Sequence, residues 1–166
     1  VLRTDLDDDS DYSKVPATSR VTGPRIGCSP CYQELSRWVP GELTQVFADD
    51  VRFRTYGWDE IYEDVYNRYG GRPFALYPVD GHTNMATHPA VSASWLRLFG
   101  GMWGAPFEHF FSDTWIDDVA KRAGCLERLE SVLAEHVSPK YGKMHKDQTW
   151  YECRGIDKYP ADKKIY

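Results

Sequence analysis

The sequence predicts an α/β layered domain, and three observations carry that prediction. Short runs rich in Val, Leu, Phe and Tyr alternate with segments whose apolar residues recur at helical spacing. Start and stop signals bracket the helical segments: Ser29-Pro30 with Pro40-Gly41, Gly70-Gly71, and Ser112 with Gly124. At 166 residues the chain is long enough for one domain with a real core, residues 1–166, on which a polar tail from about residue 138 packs. Strand–helix alternation of this kind points away from an all-α bundle and from a β-sandwich.

The elements follow in order. Residues 1 to 4 read as a short strand delivering the acidic loop from Asp5 to Asp11, and residues 19 to 22 as a second strand closed by Gly23-Pro24. Ser29 offers an N-cap with Pro30 at the first helical position, and Pro40-Gly41 ends that helix. Residues 43 to 48 form the clearest buried strand. Trp58, Ile61, Tyr62, Val65 and Tyr69 share a helix face that Gly70-Gly71 terminates. Residues 74 to 77 are a strand leading into the loop PVDGHTNMATHP, and residues 91 to 99 a short helix. After an irregular, aromatic stretch from 100 to 111, Ser112 caps a helix with Ile116, Val119, Ala120 and Ala123 on one face. Its acids cluster at the start and Lys121 and Arg122 at the end, as the helix dipole favours. Residues 129 to 137 form the last strand.

Composition excludes several classes of function. A formal charge of −5 without any basic run argues against a nucleic-acid or anionic-membrane surface. No stretch reaches the length of a membrane span and no signal peptide is visible, so the expected location is cytoplasmic. Aromatics are high at 14%, which suits either a well-filled core or a groove for a ring-shaped polar ligand. Cys28 and Cys31 have the CxxC spacing of redox and zinc sites, but no second CxxC follows and Cys31 shares an apolar face with Leu35 and Trp38. Structural thiols are the expected reading.

The stretch FADDVRF poses the chemical question. An apolar run ends on two adjacent carboxylates, Asp49 and Asp50, which repel each other and lose water if buried. Ligands of open α/β sheets bind beyond the carboxyl ends of strands, and paired hard oxygen donors suit Mg²⁺ or Mn²⁺. A solvated turn cap is the open alternative. Asp113 lies at a helix N-terminus, where the dipole favours its ionised form, so it is either a base or a cap. His136 closes a strand and suits a metal site with Asp50, while Lys143 suits phosphate oxygens. In the acidic loop, Asp5 stands nearest the strand end.

Taken in order, VLRTDLDDD, GPRIGCSPCYQEL, FADDVRFRTYGWD, YPVDG, THPAVSASWL, FFSDTWIDDVAKRAG and EHVSPKYGKMHKDQTWYE resemble the GT-A glycosyltransferases. The closest likeness is to family 2-like bacterial and phage members, and it spans nearly the whole chain. The resemblance implies a Rossmann-like mixed sheet flanked by helices, here N-terminally truncated, because the first strand and helix of the family have no counterpart. It implies Asp5 on the base of a nucleotide sugar, with Arg25 and Lys143 also on that donor. Asp49 and Asp50 would hold Mn²⁺ or Mg²⁺ on the diphosphate, His136 would be a further metal ligand, and Asp113 the base of an inverting transfer. Trp58, His88 and Trp115 are the expected sugar or acceptor contacts, with Trp95 another stacking candidate. The motif departs from the family in having Ala48 at the first position of DxD and Gln33 where relatives have Asn. The expected partners are a nucleotide-diphosphate sugar and an acceptor hydroxyl. Two alternatives stay open: a non-catalytic nucleotide- or sugar-binding module, and a metal-dependent phosphohydrolase.

Overall fold

The structure is a computed structural model, and it describes residues 1–7, 9, 11–38, 41–48, 50–146, 151 and 158–166. Among these the chain runs β1 (Leu2–Asp5), β2 (Arg20–Gly23), α1 (Cys28–Ser36), β3 (Leu43–Gln45), β4 (Val51–Phe53), α2 (Trp58–Tyr69) and β5 (Ala75–Val79). It continues through β6 (Ala90–Ser92), α3 (Ala93–Phe99), α4 (Ser112–Arg122), β7 (Leu126–His136), a 3-10 turn (Pro139–Tyr141) and α5 (Lys158–Ile165). No helix among the described residues is long and apolar enough to cross a membrane.

The fold is mixed α/β. Five strands form one sheet in the order β3-β6-β5-β7-β4, while β1 and β2 pair in parallel as a separate two-stranded ribbon. β5 and β7 are parallel; β6 is antiparallel to β3 and β5, and β4 is antiparallel to β7. The long β7 serves two neighbours. Its first half pairs with β5, the register shifts at Pro78/Val79, and its last residues pair with β4 as Val51↔His136 and Phe53↔Ala134.

Period-two alternation sends neighbouring residues to opposite faces of the sheet, and both faces are covered. Ala75 and Val91, which are register partners, join Trp95, Ile116 and Ala120 of α3 and α4 in one core. Leu76 and Ala90, the next pair, join Tyr62 and Val65 of α2 with Phe74, Leu129 and Val132 in the other. This double burial explains why β5 reads as a continuous apolar run rather than an alternating one.

Several boundaries differ from the sequence expectation, each for a tertiary reason. α1 begins at Cys28 with Gly27 as its N-cap, not at Ser29, and it ends at Ser36 rather than near Gly41. Ser29 is committed elsewhere: its N–H donates to Glu108 O (3.3 Å) and its hydroxyl to Ser112 Oγ (3.1 Å). The strand expected over 43 to 48 stops at Gln45 and lies at the sheet edge: Val46 N–H still reaches Pro89 O in register, but a proline has no N–H to return the bond. Residues 91 to 99 divide at Ser92, whose hydroxyl accepts the Trp95 N–H and ends β6 as it starts α3. Phe111, not Ser112, caps α4, with φ 65°. β7 begins three residues earlier than expected and ends one earlier, and the tail carries both the 3-10 turn and α5.

Candidate functional site

The strand directions bring four distant segments to one edge of the sheet. β3, β5 and β7 all point the same way, so their carboxyl ends share that edge, while β4 and β6 enter from it. Asp50 precedes β4, Asp80 follows β5, His88 lies just before β6, and His136 ends β7. α4 runs back to β7 through a short link, so its N-terminus and Asp113 lie toward the same edge. Asp117, one turn further along α4, accepts the N–H of Ala86 in the loop between Asp80 and His88.

At the centre, Asp50 Oδ2 stands 3.1 Å from His136 Nε2. The backbone fixes this pair: Val137 N–H donates to Asp50 O (2.8 Å) and His136 N–H to Asp80 O (3.4 Å). The bond to His136 holds the Asp50 carboxyl below its usual range, although burial opposes it. The His88 ring meets His136 edge to face, with centroids 4.8 Å apart, and the Gln45 amide donates to His88 O (2.6 Å). Burial, reinforced by His136, pushes His88 down to about 4, so it is neutral at physiological pH.

Asp80 organises the adjoining loop by accepting the N–H groups of His82 and Thr83 (both 2.7 Å) and the Thr83 hydroxyl (3.0 Å). Burial alone would raise its carboxyl, but these donors prevail and hold it low. His82 stacks on Tyr141 at 3.6 Å, and Tyr141 in turn approaches His136. Three buried polar atoms of the cluster have no hydrogen-bond partner among the described residues: Asp50 Oδ1, His88 Nε2 and His136 Nδ1. Each keeps the capacity for one more hydrogen bond.

The other sequence candidates fall at different places. Asp49 lies outside the described residues. Asp113 bonds Thr114 N–H (2.7 Å) and its hydroxyl, and burial pushes its carboxyl up, opposite to the direction expected from the helix dipole alone. Asp5 pairs with Arg3 and lies 3.9 Å from Arg25, which is also 3.1 Å from Asp7. Arg3 reaches across to Glu34, tying this ribbon to α1. α1 also borders the cluster: the Tyr32 phenol is raised chiefly by burial, with the Asp50 charge among the lesser contributions. Lys143 is bound to Glu135 (2.7 Å), whereas Lys140, on the 3-10 turn, makes no ion pair with a described residue.

The aromatic candidates are mostly committed to packing. Trp95 is 1% exposed and donates its indole N–H to Met102 O, so it offers no face to a sugar. Trp115 packs edgewise on Trp95 and Phe99. Trp58 stacks on Phe53 at 4.1 Å and lines a surface hollow of about 500 Å³ with Tyr56. Neither that hollow nor another of about 330 Å³ beside Arg37 and Arg97 includes Asp50, His88 or His136. Cys31 is pushed up by burial, as suits a packed thiol. Sequence reasoning missed Asp80 as a site residue; its signal was the Asp-Gly that follows a buried apolar run in YPVDG.

No group of three His, Cys, Asp or Glu side chains among the described residues is arranged to enclose a metal ion. Mg²⁺ and Mn²⁺ commonly take one or two protein ligands and complete their shell with water and substrate phosphate. Asp50 and His136 are side chains of the kind such ions take, and here they are bonded to each other through Oδ2 and Nε2. Asp50 Oδ1, buried and without a partner among the described residues, is the remaining donor atom of the pair.

Fold and cluster together define a mixed α/β protein with a polar, histidine-rich site at the carboxyl edge of its sheet. Comparison with protein-family models, curated proteins and solved structures finds no match for this chain.

Proposed function

We propose that the chain is a metal-dependent glycosyltransferase domain of GT-A type that takes a nucleotide-diphosphate sugar. The single observation that carries the reading is the convergence of Asp50 and His136, 86 positions apart, into a bonded pair at the carboxyl ends of the strands. Asp50 and His136 would hold Mn²⁺ or Mg²⁺, with His88 beside them. A bound cation would supply charge neutralisation for a departing diphosphate.

The chain's own groups have distinct parts in this reading. Asp50 is kept ionised by its bond to His136, and a cation held by both side chains would take the place of the hydrogen between them. Asp113 accepts the proton of an acceptor hydroxyl at its carboxylate. A carboxyl raised by burial is a better base than an ordinary one, since a base works best when its pKa approaches the working pH. Lys140, without an ionic partner among the described residues, is better placed to meet phosphate oxygens than the engaged Lys143.

Titration calorimetry with UDP or GDP and Mn²⁺ tests the assignment. Metal-dependent nucleotide binding is expected, and Asp50→Ala should abolish it. Binding that survives this substitution would remove the basis of the proposal, and nucleotide binding without sugar transfer would favour a non-catalytic module.

A further inference from the structure

The C-terminal helix α5 is attached through one buried carboxylate. Asp162 is fully buried and accepts three consecutive backbone N–H groups: Glu108 (2.9 Å) on Oδ1, and His109 (2.9 Å) and Phe110 (2.8 Å) on Oδ2. Burial would push this carboxyl up, but the three N–H groups outweigh it and hold it low. Two aromatic rings finish the clamp, one on the helix and one just past its last residue. Tyr159 packs on Phe110 and Phe111, and Tyr166 stacks on Phe111 with centroids 5.4 Å apart.

Phe111 is the only described non-glycine residue with positive φ, a conformation that persists where the surroundings over-determine it. It is also the N-cap of α4, two residues before Asp113. On its other side the turn is held to α1, through Ser29 N–H on Glu108 O and the Ser29–Ser112 hydroxyl contact. Asp113 itself is bonded within its own turn, to Thr114. Its position therefore depends on where the 108–111 turn sets the start of α4.

We propose that α5 is a strap and Asp162 a positioning residue: it fixes the 108–111 turn and so aims the Asp113 carboxyl. The catalytic meaning of this aim rests on the glycosyl-transfer reading; the mechanical link does not. Asp162 touches no reacting atom in this scheme. Its oxygens accept the three backbone amides, and the strap's effect reaches the site through Phe111 and the first turn of α4.

The test compares the full chain with Asp162→Asn, whose amide oxygen cannot replace both carboxylate oxygens. Amide exchange at residues 108–110 should accelerate at least about tenfold. The Asp113 carboxyl, followed by carbon-detected NMR, should titrate lower than in the wild type as water reaches it. In a screen of UDP- and GDP-hexoses with Mn²⁺, kcat should fall at least about tenfold while the donor KM stays unchanged. Should Asp162→Asn not fold, Tyr166→Ala strips the ring from Phe111 and is read by the same measurements. Faster exchange with an unmoved Asp113 titration would overturn the positioning claim, and unchanged exchange would overturn the strap itself. A wild-type chain inactive on every donor would count against sugar transfer, while amide exchange would still decide the strap and the titration of Asp113 its aim.

Discussion

Acidification puts a number on the buried cluster. His88 is 8% exposed, and it faces the His136 ring with the carboxylates of Asp80 and Asp50 nearby. Burial and then His136 disfavour its cation more than the two carboxylates favour it, so it falls from its ordinary 6.5 to about 4. A histidine depressed in the folded state binds fewer protons there than in the unfolded chain. Its contribution is fully present above pH 6.5 and is lost as pH falls toward 4. The gap between these values corresponds to roughly 3 kcal/mol, at a slope of no more than about 1.4 kcal/mol per pH unit. That is a large part of the ~5–15 kcal/mol that stabilises a typical domain. Urea unfolding of the wild type and of His88→Leu, in chelator at pH 7, 6, 5 and 4, reads the effect, because carboxylates outside the cluster titrate alike in both proteins. The stability difference between them should shift by roughly 3 kcal/mol across the series in favour of the variant. Parallel profiles would show that His88 titrates normally and that the cluster is not closed to water.

Two further predictions concern the frame around the site. A Cβ at Gly27 would lie 2.3 Å from Glu108 O, a backbone atom that no rotamer change can move away. Gly27→Ala should therefore cost about 1–3 kcal/mol, lowering the thermal midpoint by about 2–4 °C for each kcal/mol; an unchanged midpoint would refute the close approach. Lys143 and Arg54 both reach Glu135 (2.7 Å each) and hold its carboxyl down to about 2, so the folded state favours the ionised form and that preference fades only as pH falls toward 2. Side-chain NMR should find Glu135 titrating near that value, and Lys143→Met should raise it; titration in the ordinary glutamate range in the wild type would show the bridges to be absent in solution.

Much of the candidate site was legible in the sequence because its members sit where elements end. A strand that closes on His136, and carboxylates bordering an apolar run at Asp50, are visible from polarity alone. Asp80 was visible as part of YPVDG but gave no sign of its partners, which are the backbone amides of His82 and Thr83. The direction of the Asp113 shift was misjudged for a related reason: the helix dipole is local, whereas burial, which prevails, depends on everything packed around the helix start. β4 was overlooked as a strand, since three residues carry too little periodicity to register and their ladder partner, β7, lies some eighty positions away.

The sequence by itself determined the alternation of strands and helices, the apolar faces that cover both sides of the sheet, and the glycine stop after α2. These follow from backbone dihedral preferences and from hydrophobic spacing within a window of a few residues. Only the tertiary structure decided that residues 43 to 45 form an edge, that β7 divides its pairing between β5 and β4, and that Ser29 serves the 108–112 turn rather than its own helix. Strand order and the spending of a single hydroxyl are settled by long-range closure and packing, in which many arrangements satisfy the same local pattern and only the whole core selects among them.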